Sequence, residues 1–127
     1  MAWKRYNPNP YGNRVGDCTV RAISAATEQP WERTYMALCL EGFCMGDMPS
    51  ANQVWSQYLR RKGFKRRVIG EECPTCYTVA DFAQDHPNGL YVLALDGHVL
   101  CVKDGDYYDT WDSGGEIPVY YWTREER

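Results

Sequence analysis

No apolar run in this chain approaches the roughly 20 residues that a membrane-spanning helix needs, so none is expected. A positive charge balance is also missing. Fourteen Lys and Arg stand against 17 Asp and Glu, a formal net charge of -3, which argues against general affinity for nucleic acid or anionic membrane. Histidine is scarce, with two residues in 127, so any imidazole chemistry falls to His86 or His98. Internal repeats and low-complexity linkers are absent, which leaves one domain over residues 1–127. The opening Met1-Ala2-Trp3-Lys4-Arg5-Tyr6 lacks the apolar centre of a signal peptide, and the expected setting is cytoplasmic.

Aromatic residues are plentiful instead, with ten Tyr and five Trp to fill a core. Six cysteines are present. In a reducing compartment these read as thiols or metal ligands rather than disulfides. Cys73-Pro74-Thr75-Cys76 is one close pair, and Cys39 with Cys44 is a looser one. Four thiolates could hold structural zinc, but the second pair is widely spaced. The favoured expectation is no metal and no cofactor.

The pattern changes along the chain. Met1 to Asp17, with Asn7-Pro8-Asn9-Pro10, reads as an extended surface loop. Asp17 is a candidate N-cap for a buried helix from Cys18 to about Glu28. A second helix is expected from Pro30 to Leu40 or Glu41, followed by a Gly- and Met-rich loop over Gly42–Pro49. Ser50 would cap a third helix ending near Gly63, and Thr78 a short fourth one to Gln84. A short strand is expected over Arg66–Ile69. The last third alternates with period two, over Leu90–Leu95, His98–Val102, Tyr107–Trp111 and Ile117–Trp122. Its Asp-Gly and Gly-Gly turns suggest an antiparallel meander. The fold class is α+β, with N-terminal helices packed on a C-terminal antiparallel sheet.

One stretch carries the chemistry. In Gly16-Asp17-Cys18-Thr19-Val20-Arg21 a glycine loop runs into a helix with a thiol in its first turn. The helix dipole and the unpaired N–H groups there favour the thiolate, which is the nucleophile. Such a thiol needs a base. His98 opens an apolar strand, whereas His86 lies in the turn sequence His-Pro-Asn-Gly and reads as a solvated loop residue. A carboxylate should orient the imidazole. If Asp104-Gly105 is a two-residue turn, Lys103 pairs with Asp106, and Asp109 shares His98's face. One more loop residue would put Asp112 there instead, so both remain candidates. For the oxyanion, the Cys18 N–H and the Asn13 amide are the available donors. Arg21, one turn along the helix, is expected to pair with Asp17 or another acid.

With these residues in place, the chain resembles the papain-like cysteine peptidase superfamily in its smallest bacterial and phage forms. Members place a nucleophilic Cys at the start of a central helix, as Cys18 is here. A His at a strand start follows, as in Gly97-His98-Val99, and then an Asn or Asp, often in Asn-Ser-Trp. Asp109-Thr110-Trp111 matches that last motif with Asp for Asn and Thr for Ser, which supports Asp109 over Asp112. By the same resemblance Trp111 would shield the histidine. The Gly-Asp-Cys-x-x-Arg-Ala opening is similar to that of small phage and prophage proteins. The family's upstream Gln oxyanion donor has no counterpart before Cys18. The chain is also much smaller than papain, nearer to double-glycine leader peptidases and cell-wall amidopeptidases.

The resemblance implies a papain-like fold. It also implies a cysteine-dependent hydrolase, a peptidase, isopeptidase or amidase, working on a protein or peptide through Cys18, His98 and Asp109. The alternative is a non-catalytic binding module on the same scaffold. It could contact nucleic acid through Arg60-Arg61-Lys62-Gly63-Phe64-Lys65-Arg66-Arg67, the one strong charge cluster. The plainer reading of that cluster is a solvated helix end, and nucleic acid is not the expected partner. The sequence does not fix the oligomeric state.

Overall fold

The computed structural model describes residues 2–12, 15–69 and 77–124. Its elements run β1 (Trp3–Arg5), α1 (Cys18–Thr27), α2 (Trp31–Met45), α3 (Asn52–Arg61), β2 (Lys65–Val68), α4 (Val79–Asp85), β3 (Leu90–Leu95), β4 (His98–Lys103), β5 (Asp106–Asp109) and β6 (Pro118–Thr123). This is an α+β arrangement of four helices and one six-stranded sheet among the described residues.

The sheet is not the antiparallel meander expected from the sequence. Its order is β1-β5-β4-β3-β6-β2. The last strand crosses back to pair with β3 rather than β5. The supposed loop before Cys18 contributes β1, which runs parallel to β5, so the sheet is mixed. Three residues are too few to show alternation, and the flanking prolines hide the strand. The register of β4 with β5 follows the two-residue turn. Lys103 faces Asp106, and both Asp104 and Gly105 adopt positive φ, at 51° and 86°.

The pleat divides the core in two. Val92, Val99, Cys101 and Trp122 pack on one face against Val20 and Ile23 of α1, with Trp31, Leu38, Trp55 and Leu59 of α2 and α3. Leu93, Leu100 and Val102 point the other way, onto Val79 and Phe82 of α4. Ile23, Leu38, Leu59, Val92, Leu93 and Val102 are fully buried. Each contributes about 1.5–3 kcal/mol by leaving water.

Helix boundaries moved where tertiary contacts overrode local signals. α2 continues through Gly42 to Met45, ended by Gly46 at φ +72°. Gly42 is needed there because a Cβ would stand 2.6 Å from the Asp47 carbonyl oxygen as the chain turns back. Ser50 does not cap α3; Ala51 occupies that position without a side-chain bond. Thr78 does cap α4, in a reciprocal box with Asp81. His86 is no solvated loop residue. Its ring stacks on Phe82 at 3.9 Å, and its Nδ1 pairs with the Phe82 carbonyl at 2.8 Å.

Candidate active site

Three elements meet where α1 begins. Cys18 is the first residue of α1, His98 the first of β4, and Asp109 the last of β5. Side-chain alternation alone would send His98 away from α1, because its face-mates Leu100 and Val102 pack against α4. Its place at the end of the strand overrides that. Beyond the packed core the ring reaches the cleft at the helix start, near enough to the Cys18 sulfur to lower its thiol pKa.

His98 Nε2 lies 2.6 Å from Asp109 Oδ2. That leaves Nδ1 as the ring nitrogen for Cys18. The Asp109 carboxylate is buried and fully engaged. Oδ2 also accepts from the Ser113 hydroxyl at 2.8 Å, and Oδ1 accepts from the Thr110 N–H at 2.8 Å. Arg21 Nη2 stands 3.7 Å from Oδ1. β1 fixes the backbone of the same residue, since the Tyr6 N–H and the Trp3 indole N–H both donate to the Asp109 carbonyl, at 2.9 and 3.2 Å. Trp111 leans over the imidazole, ring centroids 5.3 Å apart.

Asp112 is not part of this chain of bonds. Its Oδ1 accepts from the Tyr107 hydroxyl at 2.6 Å and the Gly114 N–H at 3.0 Å, both of which hold its carboxyl below the usual range. Asn13 lies outside the described residues, as do Cys73 and Cys76. Cys39 and Cys44 both sit on α2, and no group of three or more metal ligands occurs among the described residues.

Asp17 holds the N-cap position of α1 but makes no cap bond. Its carboxylate is taken by the Arg21 guanidinium, the Trp31 indole N–H at 3.0 Å and the Asn9 amide at 3.3 Å. The first-turn N–H groups beside Cys18 therefore lack the usual side-chain acceptor. They remain donors without that partner at the start of the helix.

The electrostatics favour separated charges. Burial pushes the Cys18 thiol up. Hydrogen bonds from His98 and the Val99 N–H, with the charges of His98 and Arg21, outweigh burial and leave it below its ordinary value. Burial likewise disfavours charged His98, yet its bonds to Asp109 and Cys18 raise it to about 9. Each group thus favours the charged form of the other. Cys101, buried beneath α1, is the contrast. Burial pushes that thiol up to about 12, and it is inert packing.

A cleft of about 290 Å³ opens beside the sulfur. Gly16, Cys18 and Thr19 form one wall and the start of α3 another, while the β3–β4 turn with Asp96, Gly97 and His98 closes the end. Ser113, Asp17 and β1 were not singled out as site parts from sequence. Ser113 sits in an ordinary Ser-Gly-Gly turn, and only the fold brings its hydroxyl to Asp109. Comparison with protein-family models, with curated proteins and with solved structures finds no match.

Proposed function

We propose that the protein is a cysteine-dependent hydrolase of amide or isopeptide bonds on a papain-like scaffold, with a protein or peptide as substrate. The meeting of Cys18 and His98 in one cleft, with Asp109 hydrogen-bonded behind the ring, carries this reading. A lone buried cysteine would need neither a charged imidazole nor a carboxylate holding that ring from behind. Here both are present, and the sulfur is half-exposed to a cleft.

On this reading the Cys18 thiolate attacks the carbonyl carbon, and the oxygen gains negative charge beside the α1 N–H groups. The imidazolium gives its proton to the departing amine as the C–N bond breaks, leaving a thioester. Water then attacks the thioester, and His98 takes its proton. The C–S bond breaks, and the carboxylic acid leaves. Asp109 stays ionised throughout, holding the ring and stabilising its charged form.

A peptidyl vinyl-sulfone probe tests this. It should modify the wild type at Cys18 and leave Cys18→Ala and His98→Ala unmodified, while Cys44→Ala labels fully. Equal labelling of Cys18→Ala would rule the reading out.

A further inference from the structure

The pleat divides the β2 part of the basic cluster, and Arg66 lies over a ring that lines the cleft. Arg66 pairs in register with Trp122, and Val68 with Tyr120. Trp122 is buried in the α1-side core, and Tyr120 packs against it, so Arg66 shares that face. Tyr121 packs in the other core, so its partner Arg67 points to the opposite side of the sheet. The Arg66 guanidinium lies over the Tyr120 ring at 4.1 Å, and Arg60 of α3 lies over Trp122 at 5.3 Å. Tyr120 is itself a wall of the cleft that holds Cys18 and His98. It stacks nearly parallel on Trp55, another wall residue, at 5° and 6.4 Å.

Aromatic rings hold two of these cations. Arg61 pairs with Glu41 at 2.9 Å, whereas Arg60 and Arg66 have no carboxylate partner among the described residues. Cation–π contact with the rings holds both guanidiniums beside them. The chain as a whole is acidic, so this positive face is a local exception. Asp96 closes the catalytic end of the cleft, beside His98. Negative groups on a ligand would be repelled there and drawn toward β2.

We propose that Arg60 and Arg66, beside Tyr120, form a docking surface for an acidic segment of the polypeptide substrate, which places the adjoining chain in the Cys18 cleft. The inference rests on the hydrolase reading and names its substrate class. β2 is the terminal strand of the sheet, and its outer edge is unpaired among the described residues, which suits an extended peptide. A nucleic acid would draw on the cations of both faces alike. An acidic peptide running to the cleft would draw on one.

The test uses a synthetic hexaglutamate peptide, with hexaglutamine and a dodecathymidine oligonucleotide as comparisons. Alkylation of Cys18 by iodoacetamide is followed by mass spectrometry in salt of about 0.15 M, where distant charges are screened. Hexaglutamate should slow the alkylation by about fivefold or more, and hexaglutamine by less than about twofold. The Arg60→Glu/Arg66→Glu double variant should lose this protection, and Arg67→Glu should keep most of it. Anisotropy of fluorescein-labelled hexaglutamate gives a readout that does not need a reactive thiol. Its affinity should fall about tenfold or more in the double variant and about twofold or less in Arg67→Glu. Equal losses in the two variants, binding of the oligonucleotide as tight as that of the peptide, or binding without protection of a reactive Cys18 would overturn the docking surface. An inert Cys18 with Arg66-dependent peptide binding would remove the hydrolase reading and leave the acidic-peptide surface standing.

Discussion

Ser113 donates its hydroxyl to the same Asp109 oxygen that holds His98, at 2.8 Å against 2.6 Å for the ring nitrogen. Two donors on one oxygen fix the carboxylate plane, and the imidazole is aimed by a group that cannot rotate away. Ser113→Ala removes one of those donors without touching sulfur or ring. A hydrogen bond to a charged acceptor contributes about 1.5–3 kcal/mol, so labelling of Cys18 should slow by about tenfold or more. Folding should persist. Labelling at the wild-type rate would show that Asp109 needs no such support.

Asp109→Asn keeps the shape and removes the charge. The raised basicity of His98 depends on that carboxylate and on Cys18. The imidazole should then titrate well below about 9, and the alkaline limit of turnover, where the imidazolium has no proton to give, should move to lower pH with it. Nuclear magnetic resonance titration of the ring protons, in wild type and variant, reads this directly. An unchanged midpoint would mean that Asp109 is not the group sustaining the charge.

Stability should respond to the same equilibrium. The His98 value in the folded protein is raised from 6.5 to about 9, so the folded state holds its proton more tightly than the unfolded chain. The stabilising contribution is complete below about 6.5 and declines as pH rises to about 9, where it is lost. The lowered Cys18 thiol acts with the opposite sign, so the effect is read in the Cys18→Ala background, where Asp109 still raises the ring: urea midpoints there should fall between pH 6 and 9.5. They should fall less when His98→Gln is added, which leaves no titrating ring at that position. Parallel curves for the two proteins would contradict this.

The helix that carries Cys18 is held by burial. Ile23 is fully enclosed between α1 and the sheet. Ile23→Ala should cost about 2–5 kcal/mol of unfolding free energy, measured by denaturant titration. A change below about 1 kcal/mol would mean that the site can collapse around the gap.

Much of the fold was legible because its signals were local. The thiol after Gly16-Asp17, the Thr78 cap and the Asp104-Gly105 turn all depend on residues within a few positions of one another. The turn fixed the β4–β5 register, and that register placed Asp109 rather than Asp112 with His98. What was missed is long-range. β1 is three residues that become a strand only because β5 offers an edge. β6 skips past β5 to pair with β3, which no turn sequence dictates. Asp17 had the residue type of a helix cap, but Arg21, Asn9 and Trp31 claimed its oxygens. The sequence placed the His98 ring against the helix that carries Cys18, but alternation alone does not take it there; its position at the strand's end does.

The most direct measurement is the pH dependence of iodoacetamide alkylation, followed at each cysteine by mass spectrometry. The account predicts that Cys18 reacts near pH 6 while Cys39 and Cys44 do not, and that His98→Ala abolishes this early reaction. Alkylation of Cys18 that begins only near pH 8 or above, as for an ordinary thiol, or that is unaffected by His98→Ala, would contradict it.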